Sequence, residues 1–298
     1  MILTQYCLKC LTMTMTLVKD SGCLYVVATP IGNLADISFR AIEVLQQCDL
    51  IVCEDTRHSK HLLQNYNIDT PTRSLHAHNE DQIAGQLISQ LQSGQELAII
   101  SDAGTPLISD PGFPLVKQAH AAGIRVIPIP GASAVISLLS VAGLPVQPFT
   151  FHGFIPSKKS QRKVFYQSLL PLDKTHVFYE SSHRIMASVT DLSLIFGAHT
   201  EACIGRELSK RFEHIYRGSL ADIITEMTAD SYSQKGEFVV AISGQADSQE
   251  SVLNFEQESL ARLLKPLMPP KQAAAVVASH YQVNKKMVYE FILNLAND

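Results

Sequence analysis

Ile99-Ile-Ser-Asp-Ala-Gly-Thr-Pro-Leu-Ile-Ser-Asp-Pro-Gly112 is the stretch on which the reading of the whole chain turns. The apolar residues 97–100 read as a buried parallel strand, because no polar side chain alternates with them. Two glycines, two prolines and two aspartates then fall within twelve residues, too much turn chemistry for a regular element. A helical pattern resumes over 113–122, with Asp110 expected as its N-cap and Pro111 just inside its start. Ordinary strand-to-helix connections need only about 2–6 residues, so a loop this long predicts a ligand site. Open α/β sheets hold ligands in a crevice beyond their strand ends. Glycine admits close approach of backbone to ligand, and aspartates accept hydrogen bonds from hydroxyl or ammonium groups.

The same grammar repeats on either side. Residues 24–29 (LYVVAT) form an apolar run that breaks at Pro30-Ile31-Gly32-Asn33, with Asp36 expected to cap the following helix. Residues 50–53 (LIVC) end directly in Glu54-Asp-Thr-Arg-His58, and a helix should follow to about Asn65. A polar segment holding His76 and His78 precedes a helix over 81–92. Residues 124–129 make another strand, closing in Pro130-Gly-Ala-Ser133 before an apolar helix. Four strand-loop-helix units predict a mostly parallel sheet covered on both faces. The loops at Gly32, Gly104 and Gly131 leave parallel strands at the same end, so they should line one cleft.

After residues 145–148 the character changes. Candidate strands at 150–154, 176–180, 201–207, 214–220 and 237–243 alternate with helices at 160–169, 184–196 and 221–228. The close spacing of 201–207 and 214–220 predicts a hairpin, hence a mixed sheet. A polar linker at 245–251 leads to helices at 255–264, 271–281 and 285–295, the last two spaced like a helix-turn-helix. The expected organisation is therefore an extension over 1–23, α/β domains at 24–146 and 147–245, and a helical module at 252–298. The extension reads as disordered or as the result of a start codon placed too early, since Met13 and Met15 are both available.

Composition narrows the function classes. The chain has 298 residues, 46% of them hydrophobic, enough for two cores and a small third. A formal net charge of −4 excludes a generally basic nucleic-acid coat and leaves local patches. Six scattered cysteines fit a reducing, cytoplasmic setting and not a disulfide framework. The longest apolar run, 131–146, falls short of the ~20 residues of a membrane span.

No phosphate-binding Gly-rich motif is present, and Ser133 lacks the Gly-x-Ser-x-Gly context of a hydrolase elbow. The cleft loops carry glycine, proline and carboxylates but no lysine. A polyanionic cofactor would be repelled there, whereas a cationic one bearing adenosine and an amino-acid tail, such as S-adenosylmethionine, would fit. His76 and His78 with Glu54 and Asp55 offer a competing metal-site reading, although no spacing ties the two clusters together. Basic residues gather at Arg57 to Lys60, at Lys158, Lys159, Arg162 and Lys163, and at Lys285 and Lys286. Beside a helix-turn-helix-like tail on an acidic protein, these patches point to nucleic acid.

Ala28-Thr-Pro-Ile-Gly-Asn-Leu34, Glu54-Asp-Thr-Arg-His58, the stretch 101–112 and Lys235-Gly-Glu237 together resemble the ribosomal RNA small subunit methyltransferase I family. Glu180-Ser-Ser-His-Arg184 and Arg206-Glu-Leu-Ser-Lys210 are similar to two further motifs of that family, with Ser182 in place of a usual proline and Ser209 of a usual threonine. The resemblance runs from about Leu24 to the C-terminus. It implies two α/β domains of tetrapyrrole-methylase type, the class III fold of S-adenosylmethionine-dependent methyltransferases, with a small C-terminal helical module. It also implies a homodimer that methylates the ribose 2′-hydroxyl of a cytidine in the decoding region of 16S rRNA. By motif, Pro30, Gly32, Asp102, Gly104, Thr105, Ile108, Gly131 and Ala132 should contact the cofactor, largely through backbone groups.

A ribose hydroxyl is a weak acid, so a general base is useful, and Glu54, Asp55, His78 and Glu180 are the candidates. Glu54 and Asp55 have the alternative role of positioning Arg57. Three other readings stay open: a methylase acting on a tetrapyrrole, a metal-dependent phosphoesterase using His76 and His78, and an RNA-binding module without catalysis.

Overall fold

The computed structural model describes residues 22–170, 172–244, 253, 255–281, 283 and 285–295. Two compact units divide after Gly244. The first begins with a sheet of β1 (Cys23–Val27), β2 (Leu50–Cys53), β3 (Thr72–Ser74), β4 (Leu97–Ile100) and β5 (Arg125–Ile129). Its order is β3-β2-β4-β1-β5, and every pairing is parallel. The central register sets Ile99 beside both Val26 and Val52.

Five helices alternate with these strands: α1 (Phe39–Gln47), α2 (Thr56–Asn65), α3 (Glu80–Gln92), α4 (Phe113–Ala121) and α5 (Ala134–Ala142). Side chains of a strand point alternately to its two faces, which splits β4 between two cores. Leu97 and Ile99 pack with Leu87, Leu91 and Leu115 of α3 and α4. Ala98 and Ile100 pack with Ala41, Leu45 and Leu63 of α1 and α2. An uninterrupted apolar strand is what burial on both faces requires.

Two caps differ from expectation. Asp110 does not cap α4: Gly112 does, at φ 116°, and its N–H donates to Glu80 Oε2 at 2.8 Å. A Cβ at Gly112 would lie 2.5 Å from Ile99 Cδ1, so glycine is required there for both space and backbone angle. Asp36 does not cap α1 either; Ser38 accepts from Ala41 N–H at 3.1 Å, and Asp36 instead accepts a hydrogen bond from Ser209 Oγ.

The second sheet contains β6 (Phe149–Phe154), β7 (Thr175–Ser181), β8 (Glu201–Arg206), β9 (His214–Ser219) and β10 (Glu237–Ile242), in the order β6-β7-β10-β8-β9. Only β6 and β7 run parallel; β8 and β9 form the expected hairpin. Helices α6 (Lys159–Gln167), α7 (Ile185–Phe196) and α8 (Leu220–Ala229) cover one face, around Phe178, Ile204 and Val240. The other face is covered by α5, whose Val135, Leu138 and Leu139 pack on Val177, Cys203, Val239 and Ala241. A helix that follows the first sheet in sequence thus belongs to the second core, and it joins the two halves into one body.

The second unit holds α9 (Phe255–Leu264), α10 (Pro270–Tyr281) and α11 (Lys285–Asn294). Ala261, Ala273, Ala274, Val277, Val288 and Ile292 form its core. The turn residues Gln282 and Asn284, the linker 245–251 and residues 1–21 of the extension lie outside the described residues; of the rest of the extension, Gly22 donates its N–H to Leu91 O and Cys23 opens β1. Among the described residues no helix is long and apolar enough to cross a membrane.

Candidate active site

A cavity of about 430 Å³ lies where the loops of the first sheet meet the strand ends of the second. The loop after β4 supplies Gly104, Thr105, Ile108, Ser109 and Asp110 to its wall. Ile31 comes from the loop after β1, and Ser133 and Ala134 from the turn into α5. The second half contributes Phe154, the segment Tyr179 to Ser182, Leu208, and Gly236 to Val239. Loops beyond the ends of parallel strands do converge here.

Hydrogen bonds fasten these loops to one another. Thr29 and Gly104 exchange backbone bonds of 2.8 and 3.1 Å, and Thr105 Oγ1 donates to Ala132 O at 3.3 Å. Gly104 sits at φ 84°, where a Cβ would lie 3.3 Å from Ile31 Cγ2. Leu107 and Ser109 also adopt left-handed angles, φ 71° and 80°, which non-glycine residues rarely tolerate. Such strain persists only where the surroundings hold it, and here it shapes the cavity wall.

The lining carries three carboxylates, Asp110, Glu180 and Glu237, and no Lys, Arg or His. Burial pushes the Asp110 carboxyl up to about 6, and the nearby Glu54 and Asp102 charges add to the shift. Tyr179 is also raised, first by burial and then by Asp110, so these two residues of opposite halves face one another electrostatically. Glu180 is 2% exposed. Its Oε1 accepts from Ser181 N at 2.8 Å and from Arg184 Nη2 at 2.9 Å, while its buried Oε2 has no partner among the described residues. A buried acceptor in this state suits a ligand that brings a donor. The volume is that of a small-molecule site, and its charge suits a cation with an adenosine and amino-acid tail.

Of the predicted cofactor residues, Gly104, Thr105 and Ile108 line the cavity. Ala132 supports it through Thr105. Pro30 follows Thr29, which is bridged to Gly104, and a Cβ on Gly131 would meet Ala28 Cβ at 2.9 Å. Asp102 Oδ1 accepts from Asp55 N at 3.4 Å, behind the wall. Gly32 is covered by the aliphatic stem of Lys210, leaving no room for a Cβ, so its role here is to admit the second half of the molecule.

The four base candidates separate sharply. Glu180 reaches the cavity. Asp55 does not: it caps α2 and holds Arg57 by bonds of 2.8 and 3.1 Å, and that pairing pulls its carboxyl well below the usual range. Glu54 is not among the lining residues, and its carboxyl is raised by burial and by Asp102. His78 is exposed, its ring 5.9 Å from that of His76. Among the described residues no three His, Cys, Asp or Glu side chains converge as metal ligands.

The basic set also needs one correction. Arg162 is buried, 2% exposed, with Nη2 2.6 Å from Asp191 Oδ2, so it is a core ion pair and not a nucleic-acid contact. Lys158 and Lys159 remain exposed at the start of α6, and Arg57, Lys285 and Lys286 are exposed too. Lys163 stands half-exposed, 3.9 Å from Asp191. Asp110 and Glu237 line the cavity without being among the expected site residues. Asp110 reads as a helix cap in the loop whose aspartates are expected to accept ligand hydrogen bonds, and Glu237 signals itself only through the Lys235-Gly-Glu237 motif.

Residues 23–224 match the family described as Tetrapyrrole (Corrin/Porphyrin) Methylases, and residues 256–296 match the RsmI C-terminal HTH domain. The ribosomal RNA small subunit methyltransferase I of Xylella fastidiosa (strain Temecula1) is 48% identical over 268 residues, covering 90% of this chain and 98% of its own. The protein of that name from Pseudomonas aeruginosa is 47% identical over 272 residues, covering 91% and 96%. Among solved structures, the methyltransferase CobJ superposes with a TM-score of 0.56 at 16% identity, covering 76% of this chain and 95% of its own. Diphthine synthase gives 0.57 at 14%, covering 75% and 90%. At these identities the two structures speak for the fold alone.

Proposed function

This chain belongs to the ribosomal RNA small subunit methyltransferase I family of tetrapyrrole methylases, and on that premise we propose that it methylates small-subunit rRNA from S-adenosylmethionine. The acceptor in this reading is the ribose 2′-hydroxyl of a cytidine in the decoding region of 16S rRNA, and the working form is a cytoplasmic homodimer. The observation that carries it is the cavity wall with three carboxylates and no basic side chain. Such a wall repels a phosphate chain but favours a sulfonium and an ammonium group.

S-adenosylmethionine would supply a methyl group on a sulfonium, from which a neutral thioether leaves readily enough that no covalent enzyme intermediate is needed. What this chain adds is alignment and exclusion of water. Thr105, held to Ala132, fixes the loop after β4, which would hold the cofactor, and Phe154, Tyr179 and Phe238 line the cavity with apolar surface. Glu180 Oε2, buried and unpartnered among the described residues, would accept a hydrogen bond from a bound donor. Asp110, with its carboxyl at about 6, is the proton acceptor for the ribose hydroxyl: it is largely ionised at neutral pH yet more basic than an ordinary aspartate.

The tetrapyrrole alternative is disfavoured by the C-terminal helical unit and by Lys158 and Lys159, which a corrin-like acceptor does not call for. The test is methyl transfer from labelled S-adenosylmethionine to small subunits lacking the modification, mapped by alkaline hydrolysis. One alkali-resistant cytidine supports ribose methylation, because a blocked 2′-hydroxyl cannot cleave its own phosphodiester. Cofactor binding without transfer would redirect the search to another acceptor.

A further inference from the structure

We propose that Phe212 and Tyr232, each with a cation over its ring, form a base-stacking platform for single-stranded RNA on two loops that also line the cavity; the inference rests on the RNA reading above. Both rings are open to solvent, 64% and 69% exposed. Arg211 Cζ lies 5.4 Å from the Phe212 ring centroid, and Lys235 Nζ lies 4.7 Å from that of Tyr232.

The two rings sit on different loops, one between β8 and β9 and one between α8 and β10, and these loops are bound together. Arg206 Nε donates to Lys235 O at 2.6 Å, and Glu207 N and Glu237 N each donate across the gap at 2.9 Å. Lys210 Nζ spans Glu207 and Glu237 at 3.0 and 2.7 Å. Leu208, Gly236 and Glu237, from the same two loops, line the cavity. Glu207 and Ser209 are held at φ 50° and 69°, so the first loop has a built shape and not an arbitrary one.

A nucleotide drawn from a single strand to the cavity leaves its flanking bases without stacking partners. Exposed aromatic faces replace that loss, and they do so for any base. Arg211 and Lys235 add positive charge that the phosphates of such a strand would meet. The pairing of ring and cation fits a polyanion with planar bases better than it fits an apolar protein surface.

The experiment compares three full-length proteins: wild type, Phe212→Ala with Tyr232→Ala, and Phe212→Tyr with Tyr232→Phe. Each is titrated with a labelled single-stranded oligoribonucleotide and with the same strand in a duplex, and S-adenosylmethionine affinity is measured in parallel. The alanine pair should lose roughly tenfold or more in single-strand affinity, with duplex and cofactor affinity unchanged, and the aromatic exchange should bind as wild type. Unchanged single-strand affinity in the alanine pair, equal loss on duplex, loss in the aromatic exchange, or no RNA affinity in wild type would each overturn the platform. Methyl transfer to small subunits reads the reaction separately. Transfer with an inert alanine pair sinks the platform alone, and aromatic-dependent binding without transfer sinks the reaction alone.

Discussion

Glu180 and Arg184 form an ion pair of 2.9 Å that uses one carboxylate oxygen and leaves the other, buried beside the cavity, without a partner among the described residues. The pair spans the turn between the end of β7 and the start of α7, so the carboxyl is oriented by backbone as well as by charge. Glu180→Gln keeps the volume but turns one acceptor into a donor. It should lower kcat/KM for methyl transfer by roughly 10–100-fold, the scale of a charge-assisted hydrogen bond, and lower the melting temperature as well, since it discharges a buried ion pair. Wild-type kinetics in this variant would remove Glu180 from the ligand contacts.

Asp110 makes a prediction about pH. Its folded-state carboxyl titrates at about 6 against an ordinary value of 3.8, so the folded protein holds a proton that the unfolded chain has released between those values. Stability present below the ordinary value is therefore lost as pH rises through about 6. Asp110→Asn should raise the melting temperature at about pH 7 and leave it unchanged at about pH 3.5, as scanning calorimetry would read. The same variant should lose most methyl transfer, and with it the acidic limb of the wild-type pH profile near 6.

Gly104 tests the placement of the cofactor. At φ 84° with Ile31 Cγ2 3.3 Å from any Cβ, a valine would strain the backbone and crowd the cavity wall. Gly104→Val should abolish detectable S-adenosylmethionine binding in calorimetry and cost stability of about 1–2 kcal/mol for the left-handed angle. Retained cofactor affinity would move the cofactor elsewhere.

Arg162 separates charge for folding from charge for binding. Arg162→Met leaves Asp191 buried without its guanidinium and should cost about 3–5 kcal/mol in chemical denaturation. Lys158→Gln with Lys159→Gln should cost almost no stability, yet weaken RNA binding and flatten its salt dependence by roughly 0.7 for each phosphate no longer neutralised. An unchanged salt slope would mark those lysines as a solvated helix start only.

Much of the architecture is legible in the sequence because it is locally encoded. The apolar run 97–100 has the pattern of a strand buried on both faces, and the hairpin of β8 and β9 follows from their spacing. The strand β3, Thr72–Ser74, is silent in the sequence because its three residues carry no apolar pattern; pairing with β2 is what makes it a strand. Asp110 reads as a cap because Asp and Gly are both turn residues, and the positive φ that selects Gly112 depends on Ile99 and Glu80 arriving from other elements. Arg162 stands in a basic run, and nothing nearby in sequence announces Asp191 as its partner.

By itself, then, the sequence determined a parallel first sheet, a mixed second one, a helical tail and a cleft at the glycine- and proline-rich loops, since hydrophobic period and turn chemistry are properties of neighbouring residues. Only the tertiary structure decided which carboxylates meet in the cleft. Asp110 and Glu180 come from different halves and converge on one cavity because α5 packs on the second sheet. Asp55, in an equally suggestive motif, turns away to Arg57. Convergence and burial set the charge and proton affinity of a group, and both are decided by what the rest of the chain brings alongside it.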